Sequence, residues 1–285
     1  HAVCLLVVFC LALLGAYTLP QTAFNGLMVI DNFAYTGKVL IALSTFVFFA
    51  LFYDHTVNSS EFTLLSTLTL GAMLAVGSSD LIMLFISLEV MSISIYILIT
   101  AERTIALKYY IYGITSSAIM LFGISLIYGI CGSTGYYGIS EFLSRNTFNP
   151  LALSISLLLI LTGIGFRMML FPFNFYMPSL AENIPIRKLA FISITGVTTL
   201  SIVLIRFLLT ILHDGNSFIS GTDIYSMIPG INWSALTSVV SAGSIIVGST
   251  VILWQKNLKK IFAFLLLHQA GNLLIGLTSA STEGT

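Results

Sequence analysis

Long apolar stretches separated by short polar loops follow one another along almost the whole chain. At about 1.5 Å of rise per residue, roughly 20 apolar residues in a helix cross a hydrocarbon layer of about 30 Å. The pattern therefore predicts an all-α, polytopic helical membrane protein with about nine spans in a single transmembrane domain over residues 1–285. The predicted spans are residues 1–19, 37–53, 62–79, 81–100, 107–131, 151–178, 187–212, 234–254 and 258–277.

The span at residues 151–178 differs from a simple transmembrane helix. An uncharged stretch leads into Arg167, and the apolar run continues through Pro172 and Pro178 before a polar loop begins. A proline inside a helix removes a backbone donor and clashes with the preceding turn, so we predict a helix break here. The carbonyl groups freed at membrane depth need partners from protein or from a water-filled cavity. An intramembrane charge beside a broken helix is typical of an ion path; alternatively, Arg167 ends a short helix and extends to the lipid headgroups.

The composition supports this class of protein. Hydrophobic residues make up 57% of the chain and charged residues 8%, and the mean hydropathy is +1.02. The 11 basic and 11 acidic residues balance, which disfavours binding to nucleic acid or recruitment to an anionic surface. The three cysteines lack ligand spacing, and we interpret them as apolar filler. The chain begins at His1 within an apolar run, so we expect a fragment rather than a signal peptide.

The basic residues are distributed unequally between the two sets of predicted loops, and this distribution predicts the orientation. Seven lie on the side where the chain begins: Arg103, Lys108, Arg187, Lys188, Lys256, Lys259 and Lys260. Three lie in the opposite loops or helix ends: Lys38, Arg145 and Arg206. Because basic loops stay on the side of synthesis, the first side is predicted to face the bacterial cytoplasm or the mitochondrial matrix.

A second intramembrane charge, Glu89, lies at the centre of the predicted span 81–100. A carboxylate in hydrocarbon either stays protonated or titrates as its partner moves, which is what a proton relay requires. Alternatively, a protonated Glu89 joins two helices by a hydrogen bond. Lys108, at the start of the next long helix, is a natural partner for Glu89, and it is equally well explained as an anchor at the membrane interface.

His268 is the third candidate, because it lies in the last predicted helix together with Gln269 and Asn272. A histidine that titrates near neutral pH can pass protons, although a neutral core histidine explains the position equally well. The sequence has no Gly-rich phosphate loop, no nucleophile elbow and no cluster of cysteines or histidines for a metal or an iron–sulfur centre. We therefore predict no metal site in this chain, and we expect any redox chemistry to belong to a partner.

Several segments together resemble the antiporter-like subunits of respiratory complex I, in their order and spacing. The segments are DLIMLFISLEVMSISIYIL (80–98), ALKYYIYGITSSAIMLFGISLIYG (106–129), GIGFRMMLFPFNFYMPSLAENIP (163–185) and LKKIFAFLLLHQAGNLLIGL (258–277), with DNFAYTGKVL (31–40) also similar. They are most similar to the subunit N group, called chain 2 in mitochondria. Against the fourteen helices usual in that family, this chain is expected to start at the second helix and to end in the tenth.

The resemblance implies a mechanism in which quinone reduction elsewhere in the complex drives proton translocation along a central polar axis. Glu89 matches the family's glutamate in the fifth helix, and Lys108 matches the lysine in the sixth. Arg167 stands where a lysine is expected in the broken seventh helix. Because an arginine effectively never loses its proton, Arg167 can hold Glu89 in its ionised form but cannot pass a proton on.

Two further departures from the family pattern lie at Asn174, where a histidine is usual, and at Val197, where a lysine is expected. The resemblance thus implies a proton path that is weakened, or rerouted through water and hydroxyl groups. The hydroxyl groups in question belong to Thr162, Ser193, Thr195, Thr198 and Thr199. The resemblance places the lysine of the family's twelfth helix in a part of the family that this sequence does not include.

The resemblance also implies partners and location. We expect neighbouring membrane-arm subunits, including other antiporter-like ones, together with the lipid bilayer and no nucleic acid. NADH, FMN, iron–sulfur clusters and quinone are expected in partner subunits, and the membrane is the bacterial plasma membrane or the mitochondrial inner membrane. The alternatives are a subunit of a multisubunit cation/proton antiporter or a membrane-bound hydrogenase, and a structural paralogue that does not pump.

Overall fold

The computed structural model describes residues 21–51, 59–99, 103–145, 148–211 and 233–278, and most of them are helical. Within these residues, ten α-helices follow a short β-hairpin. They are α1 (Asn32–Leu51), α2 (Ser59–Gly77), α3 (Leu81–Leu98), α4 (Arg103–Cys131), α5 (Tyr136–Arg145), α6 (Pro150–Arg167), α7 (Met177–Asn183), α8 (Ile186–Ile211), α9 (Trp233–Trp254) and α10 (Leu258–Thr278). A 3₁₀ turn, Phe173–Tyr176, precedes α7.

Eight helices in the described part of the chain are long and apolar enough to cross a membrane, namely all but α5 and α7. This agrees with the prediction of about nine spans, because the first predicted span, residues 1–19, lies outside the described residues. The chain is therefore a multi-pass, nearly all-α membrane protein. The predicted limits differ from the observed ones mainly at the starts of α1, α2 and α4, which begin several residues earlier than hydropathy alone indicates.

The chain divides into two compact units, and the divisions fall within α4, directly after α7 and within α8. Unit 1 comprises His1–Lys108 and Ile184–Ile202. Unit 2 comprises Tyr109–Asn183 and Val203–Thr285.

In unit 1, α2 packs on α1 and on α3, and a hairpin of two strands lies beside them. Strand β1 (Gln21–Ala23) pairs antiparallel with β2 (Met28–Ile30), in the register Thr22 to Val29. The all-α prediction missed this hairpin, whose three-residue strands are too short to give a clear alternating pattern. Its turn includes Gly26 at φ 87°, a backbone conformation that glycine adopts without strain.

The hairpin is fixed to the loop between α2 and α3. The Ser79 hydroxyl donates to the Gly26 carbonyl over 2.7 Å, and the Ser79 amide donates to the Leu27 carbonyl over 3.1 Å. Asp80 then caps α3, since its Oδ1 accepts from the amide of Ile82 at 2.7 Å. These contacts hold the hairpin against one end of α2 and α3.

In unit 2, α9 and α10 form a close antiparallel pair, and α7 packs on α10. The Ser241 hydroxyl on α9 donates to the Gly271 carbonyl on α10 over 2.8 Å. Gly271 also allows the close approach, because a Cβ added there would lie 2.8 Å from Ile245. Small residues at the crossing let the two helices approach closely. In a membrane this packing matters because the lipid tails are as apolar as the helices, so the hydrophobic effect does not drive the helices together.

Candidate functional site

The interruption between α6 and α7 is where the sequence predicts a break, but it begins before Pro172. Helix α6 ends at Arg167, and Met169 adopts φ 60°. The amide of Met169 donates to the Phe166 carbonyl, and the amide of Leu170 donates to the Gly165 carbonyl. The donor–acceptor distance is 3.0 Å in both bonds. This is the Schellman pattern of hydrogen bonds, with methionine in the left-handed position that glycine usually occupies. A side chain there costs about 1–2 kcal/mol, so the surrounding contacts must hold it.

Two hydroxyl groups bind backbone groups at the break. The Tyr176 hydroxyl donates to the Phe166 carbonyl over 2.9 Å, and the Phe171 amide donates to Ser244 Oγ over 3.1 Å. Gly243 on α9 accommodates the ring of Phe171, because a Cβ added to Gly243 would lie 2.7 Å from that ring. The break is therefore docked on α9 by protein groups, as a break at membrane depth requires.

Arg167 is half-buried at the end of α6, and its guanidinium points to α4. Its Nη2 donates to Ser117 Oγ over 2.7 Å, and the Ser117 hydroxyl in turn donates to the Gly113 carbonyl over 3.0 Å. A hydrogen bond with a charged donor contributes more than a neutral one, about 1.5–3 kcal/mol. The contact fixes the position of a permanent positive charge inside unit 2.

The crossing of α4 and α6 that places Ser117 beside Arg167 depends on two glycines. A Cβ added to Gly163 would lie 2.6 Å from the Cβ of Met120, and one added to Gly123 would lie 2.8 Å from the Ser156 carbonyl. The Ser116 hydroxyl also donates to the Gly163 carbonyl over 3.2 Å.

An apolar cavity of about 250 Å³ lies beside the break. Its walls come from α6, α8, α9, α10 and the segment from Leu170 to Phe173, and they include Pro172. Its polar side chains, Thr162 and Thr237, are both threonines. The break therefore lines a cavity whose walls are almost entirely apolar.

The remaining site residues of unit 2 lie on separate elements. Asn174 is in the 3₁₀ turn, and Pro178 is the second residue of α7, a position where proline loses no helical hydrogen bond. His268 lies in α10 with its Cβ against Gly248, since a Cβ added to Gly248 would lie 3.0 Å from it. Its Nδ1 is buried and has no hydrogen-bond partner among the described residues.

The site residues of unit 1 lie on α3, α4 and α8. Glu89 is half-buried in α3, where Ser87, Ser92 and Ser94 are buried. Lys108 is exposed in the second turn of α4, and Val197 is half-buried in α8. The two readings of Lys108, relay member and interface anchor, remain predictions.

Hydroxyl groups are abundant on α8 around Val197. Ser193, Thr195 and Thr199 are buried, and the Thr199 hydroxyl donates to the Thr195 carbonyl over 2.6 Å. The Thr195 hydroxyl is buried without a hydrogen-bond partner among the described residues. A buried polar atom of this kind is a natural place for an ordered water molecule.

Sequence reasoning missed Ser117, Tyr176 and Ser244, because serine and tyrosine are common in membrane helices and nothing in their spacing marks them. Arg206, which the orientation count placed in a loop or helix end, is only 6% exposed within α8. No group of three or more potential metal ligands occurs in residues 21–51, 59–99, 103–145, 148–211 and 233–278.

We expect Ser244→Ala to lower the free energy of unfolding by about 1–3 kcal/mol, because the Phe171 amide would lose its acceptor. The thermal midpoint in detergent measures this change. Ser238→Ala is the matched control, since Ser238 is exposed on the same helix and donates only to the Ala235 carbonyl within it. Equal midpoints for the two variants would show that the Phe171 amide finds another partner.

Comparison with known proteins identifies a family and several relatives that this chain matches. Residues 78–285 match the family model described as NADH:quinone oxidoreductase/Mrp antiporter, transmembrane. The chain is 34% identical over 280 residues to NADH-quinone oxidoreductase subunit N 2 of Chloroherpeton thalassium, covering 93% of this chain and 53% of that protein. It is 33% identical over 275 residues to NAD(P)H-quinone oxidoreductase subunit 2 of Microcystis aeruginosa, covering 92% and 51%. The chain thus spans about half the length of the curated relatives it matches.

Solved structures share the fold. A chain of respiratory complex I from Thermus thermophilus superposes with a TM-score of 0.79 at 22% identity, covering 98% of this chain and 58% of that one. A chain of the Mrp complex from Dietzia sp. superposes with a TM-score of 0.76 at 16% identity, covering 97% and 53%. At these identities the likeness establishes the fold alone.

Proposed function

The chain belongs to the NADH:quinone oxidoreductase/Mrp antiporter transmembrane family, and on this premise we propose that it is an antiporter-like, membrane-arm subunit of an NADH:quinone oxidoreductase. In this function it couples electron transfer in partner subunits to proton translocation along a central polar axis. The observation that carries the proposal is a permanent cation, Arg167, held by Ser117 at a transmembrane helix break whose backbone groups are bound by protein. An intramembrane ionisable group beside irregular backbone is characteristic of ion paths.

Within this function the candidate side chains have different roles. Glu89 and Lys108 carry protons, because a carboxylate and an amine change protonation when their surroundings change. His268 is a further proton carrier, because an imidazole nitrogen can bind and release a proton. Arg167 supplies a fixed charge and passes no proton, because a guanidinium stays protonated. Water and hydroxyl groups such as that of Thr195 substitute where Asn174 and Val197 provide no titratable group.

We assign the redox chemistry to partners. NADH, FMN, iron–sulfur clusters and quinone are placed in other subunits, because this sequence has neither a Gly-rich phosphate loop nor cysteines at ligand spacing. The partners of this chain are then other membrane-arm subunits, including neighbouring antiporter-like ones, in a bacterial plasma membrane or a mitochondrial inner membrane.

Purification from the native membrane in mild detergent tests the proposal. We expect the chain to be recovered with subunits that contain flavin and iron–sulfur clusters, in an assembly that reduces quinone with NADH. Recovery with other antiporter-like subunits but without redox subunits would instead support a cation/proton antiporter, and the matching family model includes the Mrp antiporter in its description.

Glu89→Gln tests the transport role separately. We expect fewer protons to be translocated per NADH oxidised, with less than a twofold change in the rate of NADH oxidation, because the amide cannot bind and release a proton. Proton uptake in vesicles measured alongside NADH consumption gives the ratio. Glu141→Gln is the control, since Glu141 is an exposed carboxylate paired with Arg145 on α5. A ratio unchanged by Glu89→Gln would favour a structural paralogue with a silent path.

A further inference from the structure

Glu182, near the end of α7, makes three contacts with the first turn of α10 and the residue before it. Lys260 Nζ lies 2.8 Å from Glu182 Oε2, and Asn257 Nδ2 donates to Glu182 Oε1 over 3.5 Å. Lys259 Nζ donates to the backbone carbonyl of Glu182 over 3.2 Å. Both carboxylate oxygens and the adjacent carbonyl are therefore bound by residues 257–260, which follow α9 and begin α10.

The helices favour this arrangement of charges. The Lys259 ammonium binds a carbonyl at the end of α7, where a helix attracts positive charge. The Glu182 carboxylate lies beside the start of α10, where a helix attracts negative charge. Asn257 holds the start of α10 in place, because its Oδ1 accepts from the Lys259 amide at 3.0 Å.

Helix α7 depends on such contacts. It has only seven residues, and an isolated helix of this length is unstable because the first turn is costly to form. Its start is joined to the break through the 3₁₀ turn, in which Tyr176 bonds to the Phe166 carbonyl. The position of α7 on α10 therefore influences the geometry of the break.

Glu182 is charged at neutral pH. The hydrogen bond from Lys260 holds the pKa of the Glu182 carboxyl below its ordinary value, and the positive charges of Lys260 and Lys259 add to this effect. The contact with Lys260 is therefore present at neutral pH. On the acidic side, the contact weakens when the pH falls through that lowered value.

We propose that Glu182 is a positioning residue for transport: it ties α7, the second half of the broken helix, to the start of α10 and so maintains the break. The inference rests on the proposed function for its transport role. The tie itself is a property of unit 2 that can be measured without reference to what the protein transports. In this role Glu182 acts through α7.

The test uses the complete native membrane assembly with Glu182→Gln. We expect the backbone amides of α7 to exchange with solvent deuterium about threefold faster or more, because α7 loses its charged contact. We also expect fewer protons to be translocated per NADH oxidised. The double variant Glu182→Lys with Lys260→Glu is expected to recover most of both properties, since it restores opposite charges at the same two positions.

The control is Glu141→Gln, which breaks the 3.0 Å pair with Arg145 inside α5, where both side chains are more than half exposed. It is expected to leave exchange in residues 177–183 and proton translocation unchanged. Exchange in Glu182→Gln within twofold of the unmodified protein would overturn the inference, and so would faster exchange with an unchanged proton ratio. If the unmodified assembly moves no protons on addition of NADH, the proposed function fails, and the exchange rates then decide the inference alone.

Discussion

We expect Gly163→Leu to prevent the packing of α6 on α4 and to remove most of the folded protein from the membrane fraction. A Cβ at Gly163 would lie 2.6 Å from the Cβ of Met120, and neither atom can move by rotation of a side chain. One extra methyl group in a tight contact costs about 1–3 kcal/mol, and a leucine side chain costs more. The separation would also withdraw Ser117 from Arg167.

Gly129→Leu on α4 is the matched control for this change, because a Cβ added to Gly129 meets no atom within 4 Å. Leucine is also a better helix former than glycine by roughly 0.5–1 kcal/mol, so the control is expected to be neutral or stabilising. The amount of monodisperse protein in detergent and its thermal midpoint measure both variants. Similar behaviour of the two would mean that α4 and α6 are not in close contact at Gly163.

We expect Arg167→Met to abolish most of the proton translocation while the assembly stays intact. The methionine fills a similar space, but the permanent charge and its hydrogen bond to Ser117 are lost. If the lost hydrogen bond, at about 1.5–3 kcal/mol, stabilises the transport-competent arrangement, the rate falls about tenfold or more. Proton uptake per NADH oxidised measures the loss, with Arg145→Met on the exposed face of α5 as the control.

Arg167→Lys separates charge from proton transfer at the same position. The lysine keeps a positive charge near Ser117, so we expect much of the translocation to remain. Because a desolvated amine can release its proton whereas a guanidinium cannot, transport should acquire a decline at alkaline pH that the unmodified protein lacks. Identical pH profiles for Arg167→Lys and the unmodified protein would show that the side chain at position 167 does not release its proton during transport.

The helices and the break were predictable because they depend on properties that are local in sequence. Runs of apolar residues specify helices in lipid, where backbone groups must bond within the segment. Arg167 and Pro172 each carry a large cost at membrane depth, which identifies the interruption without any structure. The exact end of α6 was not predictable, because Met169 occupies a left-handed position that methionine does not signal.

The partners at the break depend on contacts between distant residues, and the sequence carries no sign of them. Ser244 is one of several serines on α9, and only the docking of Phe171 distinguishes it. The burial of Arg206 depends likewise on the packing of α8, which a count of loop charges ignores. The roles of Glu89, Lys108, Arg167 and His268 in proton transfer remain predictions, to which the variants above apply.

The contacts on either side of the break have a mechanical consequence. Phe171 is held by α9 through Ser244, and α7 is held at the start of α10 through Glu182. Because α9 and α10 pack closely on each other through glycines, the two attachments restrain the break on both sides, and it does not act as a free hinge. Opening the break must move the α9–α10 pair with it or release one of the two attachments. Labels on α7 and α10 would keep a constant separation if the pair moves, or if only the attachment of Phe171 to Ser244 is released, and they would move apart if the attachment of Glu182 is released.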